Sequence, residues 1–403
     1  MPKRSLSVLG AAAVLLSALG VATASADTAG PGASPSARLH AKRVCAAPAK
    51  VHVAACFSKV MVDGRGAVPA STTPAASALK PAQIRGAYNL TTLSGGRTVA
   101  IVDAYGYPNL ERDLGVYRSQ FGLDPCTTAN GCLKVVNQSG GATPPRFDAG
   151  WAGEQALDVD AVSAACPDCK ILVVQATSAS FANLGAAVRT AAGAKPAAIS
   201  NSYGGGDASD ASYGGPYNQP GIAVTASTGD NGYQGGSFPA SSHYVTAVGG
   251  TTLKLASGTT RGWTESAWSG AGSGCSTVNT ALAAAASVDT GCAKRAIADV
   301  SAAADPNNGG LAVYYPTSRT GSTWAQVGGT SESSPIIASV YALSGNTGST
   351  SVPANSLPYA NPAALFDVTS GSNGSCPTTQ WCNARSGWDG PTGLGTPNGV
   401  GAF

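Results

Sequence analysis

Ser331 lies in the stretch GGTSESSP (328–335), where two glycines and a threonine precede an apolar run. The glycines allow strained backbone angles and close approach to a substrate. The run SPIIASVYAL predicts a helix with Pro335 in its first turn, where proline is tolerated. A helix N-terminus favours negative charge that develops nearby, so the position suits a nucleophile. An N-cap serine on a core helix, worth about 1 kcal/mol, fits the same pattern.

A serine hydroxyl needs a base, and the chain contains only three histidines, His40, His52 and His243. The stretch GWAGEQALDVDAV offers Glu154 and Asp158 instead, four residues apart and therefore on one face of a helix. Like charges at this spacing destabilise an isolated helix. Sharing a proton would give the pair one acid and one base. A solvated acidic face is the alternative, and the apolar residues around the pair argue against it.

A further carboxylate, Asp230, follows an apolar run in ASTGDNG. A charged carboxylate repels an oxyanion, so Asp230 can stabilise one only as a protonated O–H donor. Its reference pKa is about 3.9, and burial near other carboxylates would raise it. This pattern therefore predicts a serine whose reactivity is confined to acid.

The elements around these residues alternate between strands and helices. Apolar runs predict strands at 98–106, 170–177, 197–204, 221–232 and 244–253, and helices at 154–166 and 181–194. Such alternation predicts an α/β fold with a parallel sheet, whose ligands bind at the carboxyl ends of the strands. The residues expected at such ends are Asp103, Asn201, Asp230 and Ser331.

The N-terminus has the pattern of an export signal. Lys3 and Arg4 precede an apolar stretch and the small-residue sequence Ala24-Ser25-Ala26, which predicts a signal peptide at 1–26. Residues 27–83 are rich in Ala, Pro, Ser and Thr and predict a short pro-segment and flexible linker. Residues 84–403 should form one globular body. No later run reaches the roughly 18 apolar residues of a membrane span, so we expect a secreted, extracellular protein.

The ten cysteines fall into neighbouring pairs, as expected for disulfides in an exported chain. The simplest pairing is five local loops: Cys45/Cys56, Cys126/Cys132, Cys166/Cys169, Cys275/Cys292 and Cys376/Cys382. CPDC at 166–169 could also be a redox pair or a zinc half-site. A small structural loop is favoured, because neither a thioredoxin-like unit nor a second metal-ligand pair accompanies it.

Charged residues make up 11% of the chain, and the formal net charge is +3. No basic stripe or Lys/Arg cluster is present, so neither nucleic acid nor a membrane is expected as a partner. We expect a monomer.

Several motifs occur together in a recognisable order: Glu154-x-x-x-Asp158, SNSYG, STGDNG, ADVSAAADP, GGTSESSP, and FDVTSGSNG followed by GWDGPTGLGTPNG. Over roughly residues 80–403 the chain thereby resembles the sedolisins, the serine-carboxyl peptidases. The resemblance implies a subtilisin-like three-layer fold, with a mostly parallel central sheet flanked by helices. It also implies endopeptidase activity on polypeptide substrates in acid.

The resemblance implies a role for each motif residue. Ser331 is the expected nucleophile, Glu154 the general base and acid, and Asp158 the residue that orients and charges Glu154. Asp230 is the expected oxyanion donor. The substrate backbone is expected at a strand end formed by Asn201, Ser202, Tyr203 and Gly204.

The resemblance also implies one structural calcium ion. Its expected ligands are the carboxylates of Asp367 and Asp389 and the carbonyls of Val368, Arg385 and Gly387. Oxygen ligands on two glycine-containing loops suit calcium. On its own, DVTSGSNG could equally be a cluster of turns.

Some features depart from the family pattern, and other readings stay open. Sedolisins usually have a large folded pro-domain, and residues 27–83 are too short for one. Glu332 adds a carboxylate next to the nucleophile, and Asp103 is interpreted as structural or a minor polar contact. The alternatives are a tripeptidyl-type aminopeptidase and a catalytically degenerate secreted binding protein. A subtilisin-type neutral protease would need His243, which lies in the wrong chain order for that fold.

Overall fold

In a computed structural model of the protein, residues 39–48 and 50–403 are described. The predicted signal peptide and the start of the pro-segment lie outside them. Within the described residues, no helix is long and apolar enough to cross a membrane. The α-helices are α1 (Pro81–Ala87), α2 (Leu110–Gln120), α3 (Ala149–Ala165), α4 (Phe181–Gly193), α5 (Asp210–Tyr213), α6 (Thr330–Ser344) and α7 (Leu357–Ala360).

The strands of the described residues are, in chain order, β1 (His40–Arg43), β2 (Ala55–Cys56), β3 (Lys59–Val62), β4 (Thr98–Ala104), β5 (Leu133–Asn137), β6 (Lys170–Ala176), β7 (Ala198–Asn201), β8 (Tyr203–Gly206), β9 (Ala223–Ser227), β10 (Ser237–Phe238), β11 (Thr246–Leu255), β12 (Trp263–Ala267), β13 (Gly274–Cys275), β14 (Ala296–Ile297), β15 (Val300–Ala303), β16 (Leu311–Pro316), β17 (Ser322–Gly328), β18 (Leu365–Phe366) and β19 (Thr396–Pro397).

The central sheet has the order β12-β11-β9-β7-β4-β6-β5, and β15 also pairs with β11. Every pairing is parallel except β11 with β12. The predicted strands and helices are confirmed. One expectation needs correction: Ser331 does not follow a strand of this sheet. It follows β17, which belongs to a separate antiparallel sheet ordered β1-β3-β17-β16.

Helices cover both faces of the central sheet. Side chains of β4 alternate, so Val99 and Ile101 pack in one core cluster and Ala100 and Val102 in another. The first cluster includes apolar residues of α3 and α6, and the second includes those of α4. The fold is thus the expected three-layer α/β arrangement. Because α3 and α6 share one layer, the predicted carboxylate helix and serine helix lie side by side.

The predicted linker is attached to the body at several points, although most of its residues are exposed. Leu79 is buried, and its N–H donates to the carbonyl of Gly310 at 2.9 Å. Its carbonyl accepts from the N–H of Ala312 at 2.9 Å. Further upstream, the Ser71 N–H donates to the hydroxyl of Thr323 at 2.7 Å. These hydrogen bonds fix a segment whose composition predicted a flexible connection.

The five predicted local disulfides are all present: Cys45–Cys56, Cys126–Cys132, Cys166–Cys169, Cys275–Cys292 and Cys376–Cys382. Cys166 and Cys169 close a small loop between α3 and β6, and both are buried. With both sulfurs bonded to each other, this pair offers no zinc half-site.

Candidate active site

Ser331 is buried in the first turn of α6, directly after a turn that contains Gly329. Gly329 precedes the helix with φ of 111°, a conformation that glycine adopts without strain. The sequence predicted Pro335 in the first turn of the helix, but it lies further inside the helix. Because proline has no N–H, it leaves the Ser331 carbonyl without its helical partner. The Ser202 hydroxyl approaches that carbonyl at 3.4 Å.

Glu154 and Asp158 both project from α3, whose residues 151–165 are buried throughout. Neither Glu154 oxygen has a hydrogen bond of normal geometry. Burial and the charge of Asp158 raise the pKa of Glu154 well above its usual range, although the nearby hydroxyls of Ser331 and Ser58 lower it. The Ser331 hydroxyl itself donates to the Ser202 carbonyl at 3.1 Å. The same hydroxyl lies near enough to Glu154 to lower the pKa of that carboxyl group.

Asp158 links the dyad to the end of β7. One of its oxygens accepts a 2.8 Å hydrogen bond from the Ser202 hydroxyl, and the other is buried without a partner. Burial raises the pKa of Asp158 well above its usual range, against a lowering contribution from Ser202. The Asp158 carboxyl group is thus oriented by the neutral Ser202 hydroxyl. To remain buried it needs either a proton of its own or a neighbouring protonated acid that donates to it.

Asp103 contributes a third buried carboxyl group, at the end of β4. Burial, and then the charges of Asp158 and Glu154, raise the pKa of Asp103 well above its usual range. Asp103 and Asp158 are close enough that their interaction raises the pKa of Asp103 and lowers the pKa of Asp158. A protonated Asp103 therefore favours an ionised Asp158. Its position at a strand end was the available sequence signal.

Asp230 lies opposite the start of α6. Its Oδ1 accepts from the Thr330 N–H at 2.8 Å and from the Thr330 hydroxyl at 3.0 Å, and its buried Oδ2 has no partner. Burial raises the pKa of Asp230 to about 6, although Lys59 and Thr330 lower it. A proton on this carboxyl group would reside on Oδ2, because Oδ1 already accepts two hydrogen bonds. An O–H donor then points from Oδ2.

The chain's own Phe57 fills the space in front of Ser331. The Ser331 N–H donates to the Phe57 carbonyl at 3.1 Å. A side chain at Gly329 would overlap both that carbonyl oxygen and Asp230 Oδ2, so both oxygens lie against Gly329. The Phe57 carbonyl therefore accepts a backbone N–H and lies beside the Asp230 carboxyl group. This is the geometry of an oxyanion hole holding a peptide carbonyl.

The chain before Phe57 lies along β8 as a short antiparallel strand. Ala55 pairs with Gly204 and Cys56 with Tyr203, and the Phe57 N–H donates to the Ser202 carbonyl at 3.2 Å. Strand addition of this kind is a common way to bind an extended peptide.

The four residues expected to hold substrate fall into two groups. Backbone groups of Ser202, Tyr203 and Gly204 do contact an extended chain. A side chain at Gly204 would overlap the Phe57 ring, so this glycine makes room for the ring. The Asn201 side chain points elsewhere: its amide donates to the Thr225 carbonyl, and its oxygen accepts from the Tyr203 hydroxyl. Packing at the strand end sets that direction.

Histidine takes no part in the site among the described residues. The His243 Nδ1 lies 2.8 Å from Asp210, and its ring packs on Tyr244.

Glu332 is buried, but Leu311 and Asp305, rather than Glu154, are the neighbours that influence its pKa. Burial raises that pKa well above its usual range.

The residues expected to bind calcium converge on one loop. The Arg385 N–H donates to Asp389 at 3.1 Å, and the Gly387 N–H donates to Asp367 at 3.0 Å. Asp389 is fully buried and Asp367 is exposed, and Val368, which follows Asp367 in the chain, is buried. The Arg385 guanidinium is engaged with Gln380.

Among the described residues, no three acidic, histidine or cysteine side chains cluster as metal ligands. An ion would therefore depend on two carboxylates and backbone carbonyls. Two neighbouring carboxylates, one of them fully buried, fit a hard cation.

Comparison with known proteins finds similar sequences and a similar fold. No protein-family model matches the chain. The chain is 30% identical over 372 residues to kumamolisin from Bacillus sp. (strain MN-32), a match covering 82% of this chain and 64% of that protein. It is 34% identical over 175 residues to sedolisin from Pseudomonas sp. (strain 101), covering 40% of this chain and 28% of that protein. These matches support a place for the chain in the sedolisin family.

A solved structure supports the same fold. Pseudomonas sedolisin, a serine-carboxyl proteinase complexed with two molecules of pseudo-iodotyrostatin, superimposes with a TM-score of 0.65 and 24% identity. The match covers 80% of this chain and 96% of that structure. The chain spans just under two thirds of the length of kumamolisin.

Proposed function

We propose that the chain is a secreted, acid-active serine-carboxyl endopeptidase that acts through an acyl-enzyme on Ser331. The observation that carries the proposal is the peptide carbonyl of Phe57, bound between the Ser331 N–H and the Asp230 carboxyl group. Glu154 is then placed to take the serine proton and return it to the leaving amine. Asp158 and Asp103 belong to the same buried cluster of carboxyl groups as Glu154, and they set its orientation and its protonation.

Acid dependence follows from the need for a proton on Asp230. The protonated group donates to the oxyanion, whereas the ionised group repels it. Because the pKa of Asp230 is raised to about 6, the donor form prevails below that pH and is lost as pH rises through it. The endopeptidase should therefore be active in acid and weak at neutral pH.

The length of chain in the cleft favours internal cleavage over removal of tripeptides. The occupied stretch continues past the third residue before the cleft carbonyl, since the Ala54 N–H donates to the Ala179 carbonyl at 2.8 Å and Val53 pairs with Ser180. A tripeptidyl peptidase must close the cleft after three residues. Tripeptide products from a long substrate would support that alternative.

The test is digestion of a denatured protein at about pH 4 by the wild type and by Ser331→Ala. We expect digestion by the wild type and none by the variant. Ser333→Ala is the matched control, because this serine lies on the same helix and donates only to the carbonyls of Ala302 and Ala303. Equal digestion by wild type and Ser331→Ala would refute the assignment. It would leave the catalytically degenerate binding protein, or a contaminating protease, as the explanation.

We also propose that the Asp367–Asp389 loop holds one structural calcium ion, with the carbonyls of Val368, Arg385 and Gly387 as further ligands. Calcium bound to the folded state alone raises the melting temperature. Excess EDTA should therefore lower the melting temperature of the inactive Ser331→Ala protein, and Asp389→Asn should remove the difference. Identical melting of the parent with calcium and with EDTA would contradict the proposal.

A further inference from the structure

Trp268 lies close to Asp230, and its ring is held in one position. The side chain is buried and packs with Ala271 and Ala304 in a small cluster that is separate from the main core. Gly250 and Gly270 leave room for the ring, because a Cβ at either position would approach it within 3.3 Å. The Trp268 N–H donates to the Gly250 carbonyl at 3.1 Å. A ring that is fixed in this way loses little entropy when a ligand binds to it.

A lysine lies against this ring. The Lys59 ammonium is 4.9 Å from the centre of the Trp268 ring, which is within the range of a cation–π interaction. The same ammonium donates to the Asp230 carbonyl at 2.7 Å. Two neutral groups, an indole face and a peptide carbonyl, therefore bind one charged side chain.

Lys59 lies where the second residue of a substrate after the cut bond would lie. Phe57 has its carbonyl at the Ser331 N–H, and Lys59 follows it by two positions. The backbone fixes the direction of the lysine, because Lys59 pairs antiparallel with Gly328, just before the nucleophile turn. An extended substrate that pairs with Gly328 in the same way directs its own side chain at that position toward the Trp268 ring.

We propose that the face of Trp268 and the carbonyl of Asp230 form a subsite for a basic side chain at the second residue after the cut bond. Polypeptides with lysine or arginine at that position are then the preferred substrates. This inference rests on the proposed peptidase function and specifies its substrate class.

Such a subsite suits an enzyme that works in acid. A carboxylate that binds lysine loses its charge, and with it much of its attraction for a cation, as pH falls through its pKa. An indole ring and a backbone carbonyl do not titrate in this range, so they attract a cation in acid as well as at neutral pH. The preference for a basic residue should therefore be present at the pH where the peptidase is most active.

A cation in the subsite also acts on the oxyanion donor. Burial raises the pKa of Asp230, whereas Lys59, Thr330 and Arg43 lower it. Glu154 is the nearby acid whose own pKa is raised by the charge of Asp230. A positive charge in the subsite stabilises the ionised form of Asp230, so this group loses its proton at a lower pH. A substrate with lysine at this position should thus lose kcat at a lower pH than a substrate without it.

The test compares two internally quenched peptides that have phenylalanine before the cut bond, serine after it, and either lysine or norleucine next. Norleucine has a similar apolar stem without the charge, and mass spectrometry identifies the bond that is cut. At about pH 4 the wild type should cleave the lysine peptide with a kcat/KM roughly tenfold higher. The gain should come mainly from a lower KM, because the contact exists before the bond is attacked. The ratio should shrink as pH rises toward about 6, where Asp230 loses its proton.

Variants of two tryptophans test the ring itself. Trp268→Leu should bring the ratio of the two kcat/KM values close to one. Trp268→Phe should leave an intermediate ratio, because phenylalanine binds cations more weakly than tryptophan. Trp263→Leu is the matched control, since Trp263 is also buried but packs in the main core cluster. A ratio measured within one variant does not depend on how much of the protein is folded, so lower stability does not imitate loss of the subsite.

The outcomes distinguish this inference from the proposed function. Equal kcat/KM for the two peptides, or a ratio that Trp268→Leu leaves unchanged, would overturn the inference and leave the peptidase standing. If the peptides are cut at another bond, the cut sites in a denatured protein decide. Lysine and arginine should be enriched at the second residue after those cuts, and no enrichment would overturn the inference. Absence of any digestion would refute the peptidase, and the inference would fail with it.

Discussion

Burial of Asp230 should make the folded protein less stable as pH rises, and Asp230→Asn should remove that effect. The asparagine oxygen can replace Oδ1 and accept from the Thr330 N–H and hydroxyl, as the aspartate does at 2.8 and 3.0 Å. Its NH₂ group then takes the position of Oδ2. The variant therefore mimics the protonated aspartic acid at every pH.

The magnitude follows from the pKa. Burial raises the pKa of Asp230 from 3.8 to about 6. Because the folded state binds the proton more tightly, the favourable contribution is complete below about pH 4 and is lost as pH rises through about 6. Between about pH 4 and pH 7 this one group should cost about 2 kcal/mol of unfolding free energy.

The assay is urea unfolding with disulfides intact, in the Ser331→Ala background to prevent self-digestion. The difference in unfolding free energy between Asp230→Asn and its parent should be about 2 kcal/mol more favourable to the variant at about pH 7 than at about pH 4. Asp63→Asn is the control, because its effect should not change between about pH 4 and about pH 7. Backbone N–H donors and Arg65 lower the pKa of Asp63, so its contribution is present at neutral pH and lost only in strong acid. Parallel pH profiles for Asp230→Asn and its parent would refute the account of Asp230.

Other side chains give equally direct predictions. Gly204→Ala should lower kcat/KM for substrates with Phe before the cut bond at least roughly tenfold, compared with substrates that have Ala at that position. The reason is that a Cβ at position 204 would lie 2.6 Å from the Phe57 ring. Gly206→Ala is the control, because a Cβ at position 206 would meet nothing within 4 Å. An equal preference for Phe over Ala substrates in both variants would contradict the claim that Gly204 makes room for the Phe ring. Arg295→Met should cost roughly 3–5 kcal/mol of unfolding free energy, because it leaves Asp299 buried without its partner. Replacing both residues with apolar ones should recover much of that loss, and a single variant as stable as wild type would refute the coupling.

Much of the architecture was predictable because it depends on local pattern. Apolar strands such as Thr98–Ala104, and the buried helix Ala149–Ala165, are legible from their composition. The close sequence spacing of the ten cysteines predicted every disulfide. The nucleophile turn at Gly329 was predictable because few residues other than glycine adopt its backbone angles.

Long-range contacts were not predictable in the same way. Residues 55–57 reach the cleft by pairing with Tyr203 and Gly204, nearly 150 positions away, and composition alone indicates a flexible segment. The direction of the Asn201 side chain depends on packing against Thr225. The influence of Asp103 depends on its burial beside Asp158, which strand-end position alone does not specify.

The central claim is that carboxylates activate Ser331 in acid, and the most direct test is the pH dependence of kcat/KM for the wild type and Glu154→Gln. The account predicts that wild-type activity is highest in acid and falls above about pH 6, as Asp230 loses its proton. Glu154→Gln should fold normally and lose about 10²- to 10⁴-fold at every pH, because the general base is gone. A wild-type optimum near neutral pH, or a Glu154→Gln variant as active as wild type, would contradict it.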